Sequence, residues 1–239
     1  MTLAGMVKKV LEKSAVQTTA GAKPQGEVNM DKQEQKSLTI SAPNFKRATF
    51  ELIGSAPLVI HRMSEKYRND QRAKISTGKP AGSKKTREPQ DPKAICEAAR
   101  YVSKEGWDGI HAGAFRNALI SACRLVGFKM TLAKLSLFVE QDGWDAKEPQ
   151  IPLVRIYGKH ILQEDVVRMA DGTPNLSFRP AYHEWKIKLN IRWDADQFTL
   201  ADVANLLSRV GLQVGIGEGR PDSKNSAGMG WGLFNYMDK

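Results

Sequence analysis

Cysteine is nearly absent from this 239-residue chain, which has only Cys96 and Cys123. Two distant thiols, neither in a CxxC pair, exclude a disulfide framework and a cysteine-rich metal site. Cys123 falls in an apolar helical pattern, so a buried free thiol is expected there. Histidine is also scarce. His61, His111, His160 and His183 are the whole set, and no pair has HExxH or other ligand spacing, so no metal is expected. There is no GxSxG nucleophile turn and no GxxxxGK[ST] phosphate loop. No run approaches the roughly 18 apolar residues that would span a bilayer. Lys8, Lys9 and Lys13 interrupt the one apolar stretch near the start, so no signal peptide is expected. No repeat of fixed period occurs. These absences point away from an enzyme, a cofactor and a membrane, and towards the cytoplasm.

Cations are abundant. Lysine and arginine number 36 against 26 acidic residues, a formal charge of +10. A polyanion gains from such an excess, because bound cations release its condensed counterions. The excess is concentrated: residues 62–93 hold ten lysines and arginines and four acids. The middle of that stretch, from Gly78 through Lys79, Gly82, Lys84, Lys85 and Arg87, is rich in glycine and charge and cannot bury a core.

Apolar periodicity gives the expected framework. Residues 1–13 fit a short amphipathic helix with Leu3, Met6, Val7, Val10 and Leu11 on one side. Residues 14–36 are polar and glutamine-rich and read as a linker or arm, which places an N-terminal segment over 1–44. Residues 48–53 alternate as a strand, and 57–60 continue it after Gly54. Residues 94–102 fit a short helix. Residues 113–126 predict a helix with Phe115, Leu119, Ala122 and Val126 on one face, ended by Gly127. Strands are expected at 132–139 and 151–157, with 158–183 irregular. Trp185, Ile187, Leu189, Ile191 and Trp193 alternate strictly, the mark of a half-buried strand. Thr199 and Asp202 open a helix in the manner of a capping box, and Leu200, Val203, Ala204, Leu207 and Val210 carry its period as far as Gly211. Residues 231–236 form a last strand. Set apart from insertions at about 62–106 and 142–183, the order is strand, helix, strand, strand, helix, strand. That is the split βαβ arrangement of a ferredoxin-like α+β domain, here expected over 45–239.

Two stretches carry the functional signal. The first runs through Gly215, Gly217, Gly219 and Arg220 and resumes at Gly228, Gly230 and Gly232. Glycines at this density require unusual backbone conformations or close approach, and exposed amides in such a loop suit phosphate. A tight crossing of the loop over a helix is the alternative. The second runs from His111 to Ala122, where small residues open a helix whose first turn presents amides and Arg116, a favourable place for phosphate. Close packing on a sheet through Ala114, Ala118 and Ala122 is compatible with this.

The helix opening resembles the I-P-A/G-S-S-L-[KR]-G-A-L-R signature of the RAMP superfamily, the ferredoxin-like RNA-binding proteins of CRISPR systems. The terminal glycines resemble that family's glycine-rich loop. Asn117 stands where the family has a glycine, and Ala114 where it has a hydroxyl. Among RAMP proteins the layout is most similar to the backbone subunits of CRISPR effector complexes, with residues 62–106 placed as a thumb. It also resembles phage- and prophage-encoded proteins, which implies a single-strand-binding or recombination role. The resemblance implies a homo-oligomer stacked along single-stranded RNA or DNA. Phosphate contacts are expected from His61, Arg62, Lys66, Arg68, Lys79, Lys84, Lys85, Arg87, Arg116, Arg220 and Lys224, and from the backbone at Gly215, Gly217, Gly219, Gly228 and Gly230. Trp107, Trp185 and Trp231 are weaker stacking candidates. Some RAMP proteins cleave RNA, and His61 would be the residue for that. A virion or scaffold component is a third reading. The aromatic motif of RNA-recognition domains is absent, so base stacking on the sheet face is not expected.

Overall fold

Trp185, Ile187, Leu189, Ile191 and Trp193 all turn inward and are at most 2% exposed. Side chains on a strand alternate between faces, so this set gives the strand one buried face and one polar face. Around it the computed structural model describes residues 40–77, 91–168, 172–223 and 228–237, and from Ala42 onward they belong to one unit. The elements in chain order are β1 (Phe45–Gly54), β2 (Leu58–Val59), α1 (Glu65–Thr77), α2 (Pro92–Ala98), β3 (Tyr101–Val102), β4 (Asp108–His111), α3 (Ala112–Leu125), α4 (Met130–Ser136), β5 (Leu137–Glu140), β6 (Gly143–Trp144), β7 (Pro152–Arg155), β8 (His160–Arg168), β9 (Pro174–Tyr182), β10 (Lys186–Asp194), α5 (Leu200–Arg209) and β11 (Phe234–Met237). The fold is mixed α/β with several antiparallel sheets.

The main sheet has the order β11-β1-β10-β5, and every neighbouring pair in it is antiparallel. Phe50, Leu52, Leu137 and Phe234 join the inward face of β10 in the core. Phe115, Leu119 and Cys123 of α3 and Val203, Leu206 and Leu207 of α5 close over that face. Burial pushes the Cys123 thiol up to about 11, leaving it an inert core thiol. The two core tryptophans satisfy their N–H groups. Trp185 Nε1 donates to the Ala56 carbonyl and Trp193 Nε1 to that of Phe198, each at 2.9 Å. Trp185 is thereby withdrawn from base stacking. Among the described residues, no helix is long and apolar enough to cross a membrane.

The start of α5 follows its sequence signal. The Thr199 hydroxyl accepts from the Asp202 amide, and the Asp202 carboxylate accepts from the Thr199 amide. This reciprocal bonding satisfies two of the donors that a helix start leaves over. The end differs from expectation. Gly211 does not stop the helix; the chain widens into a π-helical turn at Val210–Val214, and Gly215 at φ 71° ends it. Gly211 is instead a contact point, since a Cβ there would meet the Phe234 carbonyl.

Two further expectations are corrected. Residues 132–139 are not one strand, because α4 occupies Met130–Ser136 before β5 begins. Arg116 holds the end of this short helix. Its Nε donates to the Leu137 carbonyl at 3.0 Å and its Nη2 to that of Lys134, satisfying acceptors that a helix end leaves open. A long-range partner of this kind is invisible to local periodicity. Residues 158–183 are not irregular either, since β8 and β9 form a nine-pair hairpin with β2 on its outer edge. Pro174 sits harmlessly at a strand start. Pro180 directs its carbonyl to the Ile60 amide at 3.1 Å, so its missing donor also faces β2, which pairs over only Leu58 and Val59. The hairpin loses no ladder bond there. Residues 57–60 likewise do not extend β1; they turn into this second sheet.

A buried ion cluster joins the two insertions. Arg62 is 4% exposed and donates to Asp145 Oδ2 at 3.1 Å and to Glu148 Oε1 at 2.5 Å. Arg68 bonds the other oxygen of Glu148. Asp145, fully buried, also accepts from the amides of Lys147 and Glu148. Hydrogen bonds from Arg68 and then Arg62 hold the Glu148 carboxyl below its ordinary 4.5. A depressed carboxyl stabilises the fold above its unfolded value, and that contribution is lost as pH falls through the folded value. Breaking a buried pair on one side typically costs about 3–5 kcal/mol. Arg62→Met is therefore expected to lower unfolding stability by about that amount in urea titration. The wild type is expected to lose stability below pH 4.5, while loss of this acid-dependent component is expected in Glu148→Gln.

Candidate nucleic-acid cleft

The glycine-rich segment is laced to the rest of the fold by alternate amides. Ile216 donates to the Gly232 carbonyl, Glu218 to Val59, Gly232 to Pro57 and Met229 to Gly219, at 2.7–3.1 Å. Gly215, Gly217, Gly219, Gly228, Gly230 and Gly232 all take positive φ. Two of them show the constraint best. Gly217, at φ 73°, passes so close to β2 that a Cβ would lie 2.6 Å from the Val59 carbonyl oxygen. Gly232, at φ 69°, would drive a Cβ into the Ile216 carbonyl. These glycines are therefore needed by the loop's own crossing of the chain. Gly215 is buried, and Gly219 lies under the Trp231 ring, so Trp231 also serves the loop. Between the anchored amides, those of Gly217 and Gly219 donate to nothing among the described residues.

Asp222 ties the loop to α3. It accepts from the Ser121 hydroxyl and from Arg124 Nη2 at 2.8 Å. The Ser121 bond first, and then Arg124, hold its carboxyl below the ordinary range against the opposing effect of burial. The other end of α3 begins with an unusual cap. His111 Nδ1 accepts from the Gly113 amide at 2.8 Å, in the place usually taken by a serine or aspartate oxygen. A neutral imidazole accepting at Nδ1 carries its proton on Nε2, which leaves His111 a donor. Gly113 is required for this, because a Cβ there would lie 2.8 Å from the ring.

Between this helix and the loop lies a cleft of about 520 Å³. His61, His111, Tyr101, Lys134, Arg220 and Glu218 are among its polar lining, and Ile60, Ile110 and Ile216 among its apolar lining. Arg220 Nη1 donates to the Gly217 carbonyl at 3.0 Å, which braces the loop and leaves the rest of the guanidinium to the cleft. Burial first, and then the charge of Arg179, hold the His61 imidazole below its ordinary 6.5, with Glu218 acting the other way. The neutral form of the His61 imidazole is thus favoured. Arg179 belongs to the hairpin that the sequence reading left irregular. Its Nε is buried without a hydrogen-bond partner. Neither Arg179 nor Lys134 was signalled by a motif. Lys134 lines the cleft because its segment folds as α4, and the charge of Arg179 reaches His61 because its segment folds as β9.

The expected contact residues therefore separate. His61, Gly217 and Arg220 share the cleft, and Gly215, Gly219, Gly228 and Gly230 build the loop that walls it. Arg62 is withdrawn into the ion cluster, and Arg68 bonds Glu148 beside it. Lys66 is exposed on α1. Arg116 turns from the cleft to the carbonyls at the end of α4 and lies over the Phe138 ring at 4.9 Å. Lys79, Lys84, Lys85, Arg87 and Lys224 lie outside the described residues, as do the expected N-terminal helix and the arm that follows it.

No family model matches this chain, and no curated protein matches it significantly in sequence. The histidine electrostatics can be tested directly. In a proton NMR titration His61 is expected to change charge below 6.5. Arg179→Ala, by removing a repelling cation, is expected to raise that midpoint. A midpoint unmoved by Arg179→Ala would separate the two side chains.

Proposed function

We propose that this protein binds single-stranded RNA or DNA and assembles side by side along it, on a ferredoxin-like core of the RAMP type. The observation that carries the reading is the cleft between the glycine loop and α3, where Arg220, Lys134 and the donor imidazole of His111 share a wall with Gly217, whose amide donates to nothing among the described residues. Such groups hold phosphate oxygens without reading sequence. The strand order supports the core assignment. Taking the main-sheet strands in chain order as first to fourth, their spatial order is fourth, first, third, second. Helix α3 lies between the first and second, and α5 between the third and fourth, as the split βαβ pattern requires. The composition supports the ligand class through its excess of cations.

A second reading, an RNA-processing nuclease, draws on His61 and His111 lining one cleft, the first a neutral imidazole able to take a proton and the second a donor. It requires strand cleavage abolished by His61→Ala. Uncut RNA after long incubation with the wild type removes it.

Fluorescence anisotropy with labelled oligo-dT and oligo-rU tests the binding reading. Affinity is expected to fall steeply between 50 and 200 mM salt, by about a hundredfold or more if several phosphates are engaged. Arg220→Ala with Lys134→Ala is expected to weaken binding about tenfold and to flatten that salt slope. Light scattering is expected to give a complex mass that grows with oligonucleotide length. A mass fixed at one protein per strand would overturn the assembly, and failure to bind either strand would overturn the reading.

A further inference from the structure

Among the described residues, no helix lies over the polar face of the main sheet. Strand alternation puts Phe45, Arg47, Thr49 and Glu51 of β1 on this face, with Lys186, Lys188, Asn190, Arg192 and Asp194 of β10 and Phe138 and Glu140 of β5. Its aromatic and arginine side chains are organised rather than scattered. The Arg192 guanidinium lies 5.2 Å from the centre of the Phe45 ring and 5.0 Å from that of Phe138. The two rings meet edge to face at 5.8 Å, and Arg116 lies over Phe138 from the strand edge. A second group continues the face. Tyr157 pairs directly with Lys186 across an isolated bridge, and Arg155 lies 4.9 Å from the Tyr157 ring and 5.9 Å from that of Trp107. The Asp142 carboxylate links the two groups, accepting from the Asn190 side chain and the Arg155 amide.

The charges on these guanidiniums are not spent on carboxylates. Arg62, Arg68, Arg100 and Arg124 form ion pairs, and Arg47 pairs with Glu140 on the face itself. Arg155 and Arg192 form no ion pair among the described residues, and Arg192 Nε has no hydrogen-bond partner. Phe45 is 38% exposed and Tyr157 43%. From Arg192 to Lys186 along β10 is about 20 Å at the usual rise per residue. The face therefore offers half-exposed rings interleaved with Arg155, Arg192, Lys186 and Lys188, which form no ion pair among the described residues, beside the carboxylates of Glu51, Glu140 and Asp194.

We propose that this open sheet face is a second contact surface for single-stranded nucleic acid, on which unpaired bases stack against Phe45 and Tyr157 while Arg192, Arg155, Lys186 and Lys188 hold the phosphates. The ligand class rests on the binding reading above, but the surface is separate from the cleft. The aromatic motif of RNA-recognition domains is missing from the sequence because the rings here come from the start of β1, from β5 and from Tyr157, two residues beyond the end of β7. Stacking of this kind is tolerant of sequence, since every base has a π face.

Four proteins would be compared with labelled dT20 and rU20: wild type, Phe45→Ala with Tyr157→Ala, Lys186→Glu with Lys188→Glu, and Arg220→Ala with Lys134→Ala. Each is first checked by circular dichroism and by mass without oligonucleotide. Both face variants are expected to bind about tenfold or more weakly with unchanged fold and mass. Binding by the face variants within twofold of wild type, with the cleft variant impaired, would overturn the proposal and leave the cleft reading intact. Failure of wild type to bind either strand would overturn both. A face variant that changes the mass of the free protein would make this face a contact between copies and also overturn the proposal. Photocrosslinking of wild type with iodouracil-substituted strands avoids any folding defect. Crosslinks at Phe45, Phe138 or Tyr157 support the proposal, and crosslinks confined to the cleft refute it. A preference between the two strands then separates an RNA partner from DNA.

Discussion

The main sheet has one face sealed by helices and one that no described helix covers, and the cleft and the aromatic face both follow from that asymmetry. Trp185 and the four alternating apolar residues of β10 demand a cover, and α3 and α5 supply it. Placing two helices on one side leaves the intervening polar set of Lys186, Lys188, Asn190 and Arg192 on the other. It also fixes where the glycine loop must run. The chain leaves α5 on the helical side and must reach β11 at the far edge of the sheet, so it crosses β2 and the first residues after β1 at close range. The cleft is the space between that crossing and the start of α3.

Allocation of the carboxylates decides which cations remain available. Arg62 and Arg68 meet Asp145 and Glu148, Arg100 meets Glu97 and Asp108, and Arg124 meets Asp222. Each of these pairs joins segments distant in sequence, or steadies a loop between them. The arginines beyond these pairs are handled differently. Arg155 and Arg192 lie on aromatic rings, Arg220 braces a backbone carbonyl, and Arg179 stands beside a neutral histidine. A guanidinium on a ring keeps its charge and most of its donors while paying little desolvation. Arg155, Arg192 and Arg220 thus form no ion pair with a carboxylate among the described residues.

Legibility from the sequence followed the range of the interaction that fixes each element. β10 and α5 were readable because alternation and a capping box are local. α4 was not, because its end is held by Arg116 from a different helix. The β8–β9 hairpin was missed because two prolines read as breakers, and only the short reach of β2 makes Pro180 harmless. The glycine loop was legible as unusual backbone, yet the atoms that demand its glycines, such as the Val59 carbonyl, belong to another strand. Arg62 was chosen for its sign and neighbours in the chain; only the fold reveals the acids that claim it. The aromatic face was hidden for a related reason. Motif reading asks for rings at fixed spacing on two strands, whereas Phe45, Phe138 and Tyr157 converge from three segments.

The two surfaces are also close neighbours through α4. Lys134 directs its side chain to the cleft while its carbonyl accepts from Arg116. Arg116 lies over Phe138, and Phe138 over Arg192 on the open face. A helix of seven residues is about 10 Å long, the span of roughly two nucleotides in an extended strand. A phosphodiester chain leaving the cleft past Lys134 would therefore meet the edge of the aromatic face at once. That route passes around β5, which is the edge strand of the main sheet among the described residues. Arg116, which the sequence nominated for phosphate and the fold turned to carbonyls, is then the hinge post between the two surfaces. Its influence on binding would be exerted through the position of Lys134 and Phe138 rather than through contact of its own.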